Sequence, residues 1–397
     1  MLSLKTTPFH PRTSALMQGN QWRRWAGFSV ASAYELTPDR ELMAIRNACA
    51  LIDVSPLFKY HVRGRDARRF LDRLVTRDLA KMAVGHVVYT PWCNGRGKVV
   101  DDGTISMLGE DLFRLTSAES NLRWLVDNAA GFSVEIEEVS DELGALALQG
   151  PASRRLLELL SAKELSGVGY HRFTDVEIAG ARVVATRTGY TGDLGYELWI
   201  PRAAALAVWD ALVEAGRAFA LQPAGIWAMD VCRIEAGLIM LDVDYTPAPK
   251  AETDAQASSP FELGLGWAVH LKKPAFVGKK ALAAEKQRGS PLALVGLEID
   301  HVAFDRAHAE LGLTTPLPFV PWRAVTPILH GGEQVGYATC GTWSPTVKKY
   351  VALAQVAPSA AAPGTVLSID LMVDRRRRPF AATVAPLPFF NPERKRG

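Results

Sequence analysis

The sequence changes character near Gly278, and that change constrains the fold more than any other feature. From there to Leu387 strand and turn signals dominate, whereas the residues before it mix helical and strand patterns without strict alternation. A chain of 397 residues is long enough for two or three domains, each burying a core of its own. The reading is an α+β protein with a β-rich C-terminal domain. Upstream, Thr37 to Ala50 predicts a helix, with Thr37 as cap and Pro38 at the first helical position. Arg65 to Val75 reads as an amphipathic helix, and Ala152 to Leu160 and Arg202 to Ala218 as further helices. Phe58 to Val62, Val88 to Trp92, Val99 to Met107 and Leu112 to Leu115 read as strands, as do the arms around the Ala179-Gly180 turn. Thr246 to Ser259 is small, polar and Pro-bearing, the texture of a long surface loop.

Several function classes drop out. A formal net charge of +3 gives no electrostatic case for nucleic acid or membrane. The basic run Arg375 to Arg378 has no interleaved aromatics and reads as a solvated turn between late strands. Four scattered cysteines form no CxxC pair, and the eight histidines fall singly, so neither a disulfide framework nor a metal site is expected. Met1 to Gly19 lacks the apolar stretch of a signal peptide, and no apolar run approaches the roughly 20 residues of a spanning helix, so a cytoplasmic address is expected.

Two constellations stand out. In Cys93 to Gly103 (CNGRGKVVDDG), the Asp101-Asp102-Gly103 end taken alone fits turn chemistry at a strand end. In Thr188 to Ile200 (TGYTGDLGYELWI), three glycines within seven residues allow close backbone approach, and an alternating strand follows. Glu197 on that strand faces solvent if the strand is an edge, or needs partners if it faces inward.

These segments and seven others resemble, in order, the glycine-cleavage T-protein (aminomethyltransferase) superfamily. The others are Ile52 to Gly64, Leu148 to Leu157, Met229 to Gly237, Pro260 to Val269, Phe276 to Leu282, Val335 to Ala354 and the closing PFFNPERKR. The resemblance implies a three-domain cloverleaf around a channel for tetrahydrofolate. Residues 1–52 with 140–275 would form the folate-binding domain, 53–139 a second domain, and 276–397 a β-barrel-like third. Asp102 matches the family's functional acid. Glu197 matches the group that holds the pterin, whose N–H and amino group lie side by side and suit a bidentate carboxylate. Tyr89 and Tyr190 match aromatics that line the channel. Trp267, in GLGW, either faces the channel or packs between domains.

The departures from the T-protein pattern shape the expected reaction. Met229 stands where that pattern has an Arg, Leu241 to Pro247 (LDVDYTP) replaces its YGQDMDE text, Gly97-Lys98 alters its paired glycines, and Trp25 to Leu36 replaces its entry segment. On that ground the chain resembles the folate-dependent demethylase branch. The expected reaction moves a methyl group from an O-, S- or N-methyl small molecule, a methoxylated aromatic being favoured, to N5 of tetrahydrofolate. Asp102 would orient the folate and manage charge, while Tyr245 would be the substrate's proton donor or else a loop anchor in the core. Three alternatives stand beside this. They are a T-protein producing methylenetetrahydrofolate from a lipoyl-bound aminomethyl group, a non-catalytic folate-binding protein, and a subunit beside an amine oxidase.

Overall fold

The computed structural model describes residues 4–316, 318 and 320–397. Strands Leu143–Gln149 and Gly195–Pro201 pair antiparallel at the middle of a six-stranded sheet, and both of their faces are apolar. Leu146, Leu148, Tyr196 and Leu198 enter one core with Phe9 and Trp209, beneath helices Ser153–Ser161 and Ala205–Gly216. Ala145, Ala147 and Trp199 enter a second core with Ile45 and Val231, beneath helices Asp39–Asn47 and Ile226–Glu235. The sheet runs Phe173–Ile178, Ala181–Thr186, Gly195–Pro201, Leu143–Gln149, Cys49–Asp53, Leu221–Pro223. A three-stranded N-terminal sheet, with Phe28–Ala31 between Lys5–Thr6 and Trp22–Trp25, flanks it.

A second sheet is antiparallel throughout, in the order Val87–Cys93, Val99–Gly109, Leu112–Ser117, Phe58–Arg63, Glu135–Glu138. Its alternation is sharp. Tyr60, Val62, Ile105, Phe113 and Leu115 face a core built with Phe70, Leu71, Leu74 and Leu125. The intervening Lys59, Thr104, Ser106, Arg114 and Thr116 fall on the opposite face, as strand periodicity requires. A lone sheet would give that face to water, yet Lys59, Ser106, Arg114 and Thr116 are buried.

The remaining strands close a six-stranded barrel, Ala293–Ile299, Lys349–Val356, Glu333–Ser344, Thr326–His330, Val366–Val373, Arg376–Ala385. The α+β cloverleaf with a β-rich C-terminal domain is the architecture found. Two helices interrupt the expected run of strands beyond Gly278, Lys279–Arg288 and His301–Ala309. The first (KKALAAEKQR) is built of strong helix formers, and intrinsic propensity carries it where the apolar periodicity is faint. The helix expected from Thr37 begins at Asp39, with Pro38 at the cap and no side-chain cap bond, and ends at Asn47 so that Cys49 starts a strand. Nor is 246–259 wholly a surface loop. Ser258 and Ser259 are buried, and Thr253 opens a short 3-10 turn with a capping box.

Helix Ile226–Glu235 bolts the barrel to the body with buried charge. Arg233, fully buried, donates from Nε to Asp230 at 2.8 Å and from Nη1 to Asp244, while Arg323 donates to Asp230 at 2.6 Å. Asp244 also accepts from Thr339 on the barrel. One turn on, Glu235 accepts from Arg46 at 2.6 Å and from barrel Ser344 at 2.6 Å. Such pairs lose much of their attraction to desolvation, but removing one partner strands the other. Among the described residues no helix is long and apolar enough to cross a membrane.

Candidate active site

Asp101-Asp102-Gly103 is not a turn. It lies within the 11-residue strand Val99–Gly109, with Asp102 opposite Pro91 and Gly103 opposite Thr90. A Cβ on Gly103 would lie 1.9 Å from the carbonyl oxygen of Thr116, so this position admits only glycine where neighbouring strands close in. Alternation then sends the two acids to opposite faces. Asp101 is buried and accepts from Asn121 at 2.6 Å. Asp102 turns to the polar face, where Tyr89 donates to it at 2.8 Å and Tyr245 at 2.5 Å. Burial pushes both carboxyls above the usual range, and for Asp102 the two phenol hydrogen bonds pull back. Burial, reinforced by the charge on Asp102, raises Tyr89 and Tyr245, so both phenols keep their protons at neutral pH.

Tyr245 takes the place of the core anchor considered for it, and its hydroxyl is turned to Asp102. It packs in an apolar cluster with Ile239, Leu263 and Phe276. Trp267 sits on the 3-10 turn Gly266–Ala268, well exposed, with its ring 6.0 Å from that of Tyr89 and Arg77 above it at 5.2 Å. Tyr190 donates to the carbonyl of Ile239 and is close enough to Asp102 to feel its charge. Its turn is shaped by Gln149, which is fully buried. A Cβ on Gly189 or Gly195 would strike the Gln149 side chain, at 2.1 and 2.4 Å. Gln149 in turn donates to the carbonyl of Thr188 at 3.2 Å and accepts from Thr191 at 2.8 Å.

Glu197 is on an inner strand, between Ala181–Thr186 and Leu143–Gln149, so the solvent-facing edge reading does not apply. Its carboxylate accepts from Thr188, and burial raises its carboxyl while Thr188 and Arg114 oppose the rise. No direct bond links it to Asp102. The structure thus joins Asp102, Tyr89 and Tyr245 directly, brings Tyr190 and Trp267 beside them, and holds Glu197 on the facing sheet.

Sequence reasoning missed Arg114 and Thr188. Arg114 lies across the strand pair from Ser106, is buried, and stacks 4.2 Å over the ring of Trp199. Its Nε and Nη2 have no hydrogen-bond partner among the described residues. Alternation in Leu112–Ser117 sends it away from its own core, which in one sequence reads as solvent. Only a second domain covering that face reveals otherwise.

The model of the GCVT N-terminal domain matches residues 9–273, and that of the glycine cleavage T-protein C-terminal barrel domain matches 306–391. The chain belongs to the glycine-cleavage T-protein family. An aminomethyltransferase of Halothermothrix orenii is 35% identical over 88% of this chain and 90% of its own length. One of Geobacillus thermodenitrificans is 35% identical over 98% of both. The crystal structure of glycine cleavage system aminomethyltransferase T from Bartonella henselae covers 98% of this chain and 99% of its own, with a TM-score of 0.82 at 26% identity. Membership makes this chain a folate-dependent one-carbon transferase with tetrahydrofolate as cofactor.

The comparisons also correct the expected reaction. Relatives 31–35% identical over most of the chain carry the name aminomethyltransferase, which overturns methyl transfer from an O-, S- or N-methyl small molecule, and the small-molecule methyl donor with it. That expectation was argued from missing residues, and the structure shows how little Met229 carries. Its side chain is buried in the core beneath helix Ile226–Glu235, and Tyr245 from the altered LDVDYTP text is spent on Asp102.

Proposed function

We propose that this T-protein-family chain transfers an aminomethyl-borne one-carbon unit to tetrahydrofolate and releases its nitrogen as ammonia, as the names of its full-length relatives suggest. The observation that carries the reading is Asp102, a half-buried carboxylate held by two phenols on the polar face of its strand. Whether the residues fit folate is tested at Glu197. Its carboxylate takes one hydrogen bond from the protein, from Thr188, which leaves it free to accept paired N–H groups such as a pterin edge offers. Flat phenol faces at Tyr89 and Tyr190 suit the same ring.

Bound there, tetrahydrofolate supplies the nitrogen nucleophile that receives the carbon. The chain's own residues do the rest. Glu197 orients the ring edge, and Tyr89, Tyr190 and Trp267 exclude water around it. Asp102 provides one fixed negative charge, suited to the positive charge that develops on an aminomethyl carbon. Its raised carboxyl also lets it hold a proton nearer neutral pH than an exposed Asp does. Tyr245 positions Asp102, as does Tyr89. The decisive assay supplies a lipoylated carrier protein bearing the aminomethyl group together with tetrahydrofolate. Ammonia and methylenetetrahydrofolate should appear in equal amounts; a chain that binds folate yet forms neither overturns the reading.

A further inference from the structure

Arg114 is buried at this site in a state that the proposed function leaves unexplained. A buried guanidinium with unpartnered N–H groups is costly, several kcal/mol in order of magnitude, and native chains retain such a group where something satisfies it. Its surroundings on the protein do not. Trp199 offers a ring face at 4.2 Å, and that indole donates its own N–H to Thr186 at 3.1 Å. On the neighbouring strand His61 lies directly opposite, and Lys59 two residues away is likewise buried and basic. Both are pushed below their ordinary values, by burial first, and the charge on Arg114 adds to the shift. Lys59 is satisfied by the carbonyl of Ser55 at 2.6 Å. The acidic group facing Arg114 is Glu197, near enough for each to affect the other's ionisation but with no salt bridge between them.

Glu197 and Trp199 lie on one face of their strand and Arg114 stacks over Trp199, so Glu197 and Arg114 present an acceptor and a donor to the same space, one from each facing sheet. A pterin carries the complementary sequence along one edge. Its 2-amino group and N3–H are donors, and the 4-oxo oxygen next to them is an acceptor. We propose that Arg114 donates to the 4-oxo oxygen of the pterin while Glu197 accepts from the N3–H and 2-amino groups, so that the pair reads the whole edge. This rests on the folate reading above and adds a specificity to it. A 4-amino pteridine turns a donor toward a guanidinium that has only donors, and its N3 lacks the hydrogen that Glu197 would accept, so both members of the pair select against it.

The test is equilibrium binding, not turnover. Tetrahydrofolate and its 4-amino analogue are titrated against the wild type, Arg114→Met and Arg114→Lys. The wild type should bind the 4-oxo compound at least about tenfold more tightly, the scale of one charge-assisted hydrogen bond. Arg114→Met should narrow that margin at least about tenfold by weakening the 4-oxo compound, leaving only the share due to Glu197, and Arg114→Lys should narrow it less. Wild type that binds both compounds equally overturns the inference without recourse to any variant. So does an Arg114→Met protein whose preference is undiminished, including one that loses only affinity for the one-carbon donor. Wild type that binds neither pteridine overturns the folate reading, and this inference with it.

Discussion

Replacing Glu197 with Ala isolates the contact on which the proposed folate recognition depends. The side chain sits on an inner strand whose backbone pairs on both sides, so its removal leaves the sheet intact. Thr188 loses a carboxylate partner but still has Thr186 Oγ1 within 2.9 Å. The ligand loses two hydrogen bonds to an ionised acceptor, each worth about 1.5–3 kcal/mol. Taking the lower figure because Glu197 is only half-buried, the loss is about 3 kcal/mol, or roughly a hundredfold in Kd. Titration calorimetry with tetrahydrofolate measures it directly, alongside a thermal melt to show that the variant is folded. Ionised Glu197 is the form that accepts, and burial raises its carboxyl, so wild-type affinity should hold at neutral pH and fall as pH drops through that raised value. The variant should show no such fall. A variant within threefold of wild type refutes the assignment, whatever its turnover.

Asp102→Asn should lower turnover by about a hundredfold or more while folate Kd moves little, measured by single-turnover and binding assays. Because burial raises the carboxyls of Asp101 and Asp102 in the folded state, their ionisation penalises folding, and the penalty grows as pH rises from the ordinary carboxylate value to the raised one. The Asn variant should therefore gain more thermal stability over wild type at pH 8 than at pH 4, readable in paired melts. Gly189→Ala places a Cβ 2.1 Å from Gln149 Oε1 and should cost about 1–3 kcal/mol by overpacking, seen in urea unfolding. Arg233→Met leaves Asp230 and Asp244 buried with fewer partners and should cost about 3–5 kcal/mol, against which a melt within error of wild type would count.

The sequence already carried the α+β body and the β-rich end, because long alternating strands and capped helices have local causes. What it could not carry was which face of a strand meets another domain. In sequence Glu197 stays open between solvent and interior because edge and inner strands share one alternation, and only pairing on both sides decides it. Arg114 reads as solvent-facing for the same reason. Asp101-Asp102-Gly103 reads as a turn until Thr116 from the next strand is seen to need the space a Cβ would fill. Met229 shows the opposite risk. A residue type missing from a pattern was read as missing chemistry, yet the side chain is part of a core.

The buried charges on helix Ile226–Glu235 bear on how such a chain can change. Arg233, Asp230, Asp244, Arg323 and Thr339 depend on one another, as do Arg46, Glu235 and Ser344. Any single replacement among the charged members strands a partner, so routes through single substitutions are closed and drift must proceed by paired exchange. A barrel grafted from a relative should be accepted only if it brings residues equivalent to Arg323, Thr339 and Ser344. In that sense the joint between body and barrel acts as a lineage lock, free to vary around its bolts but not through them.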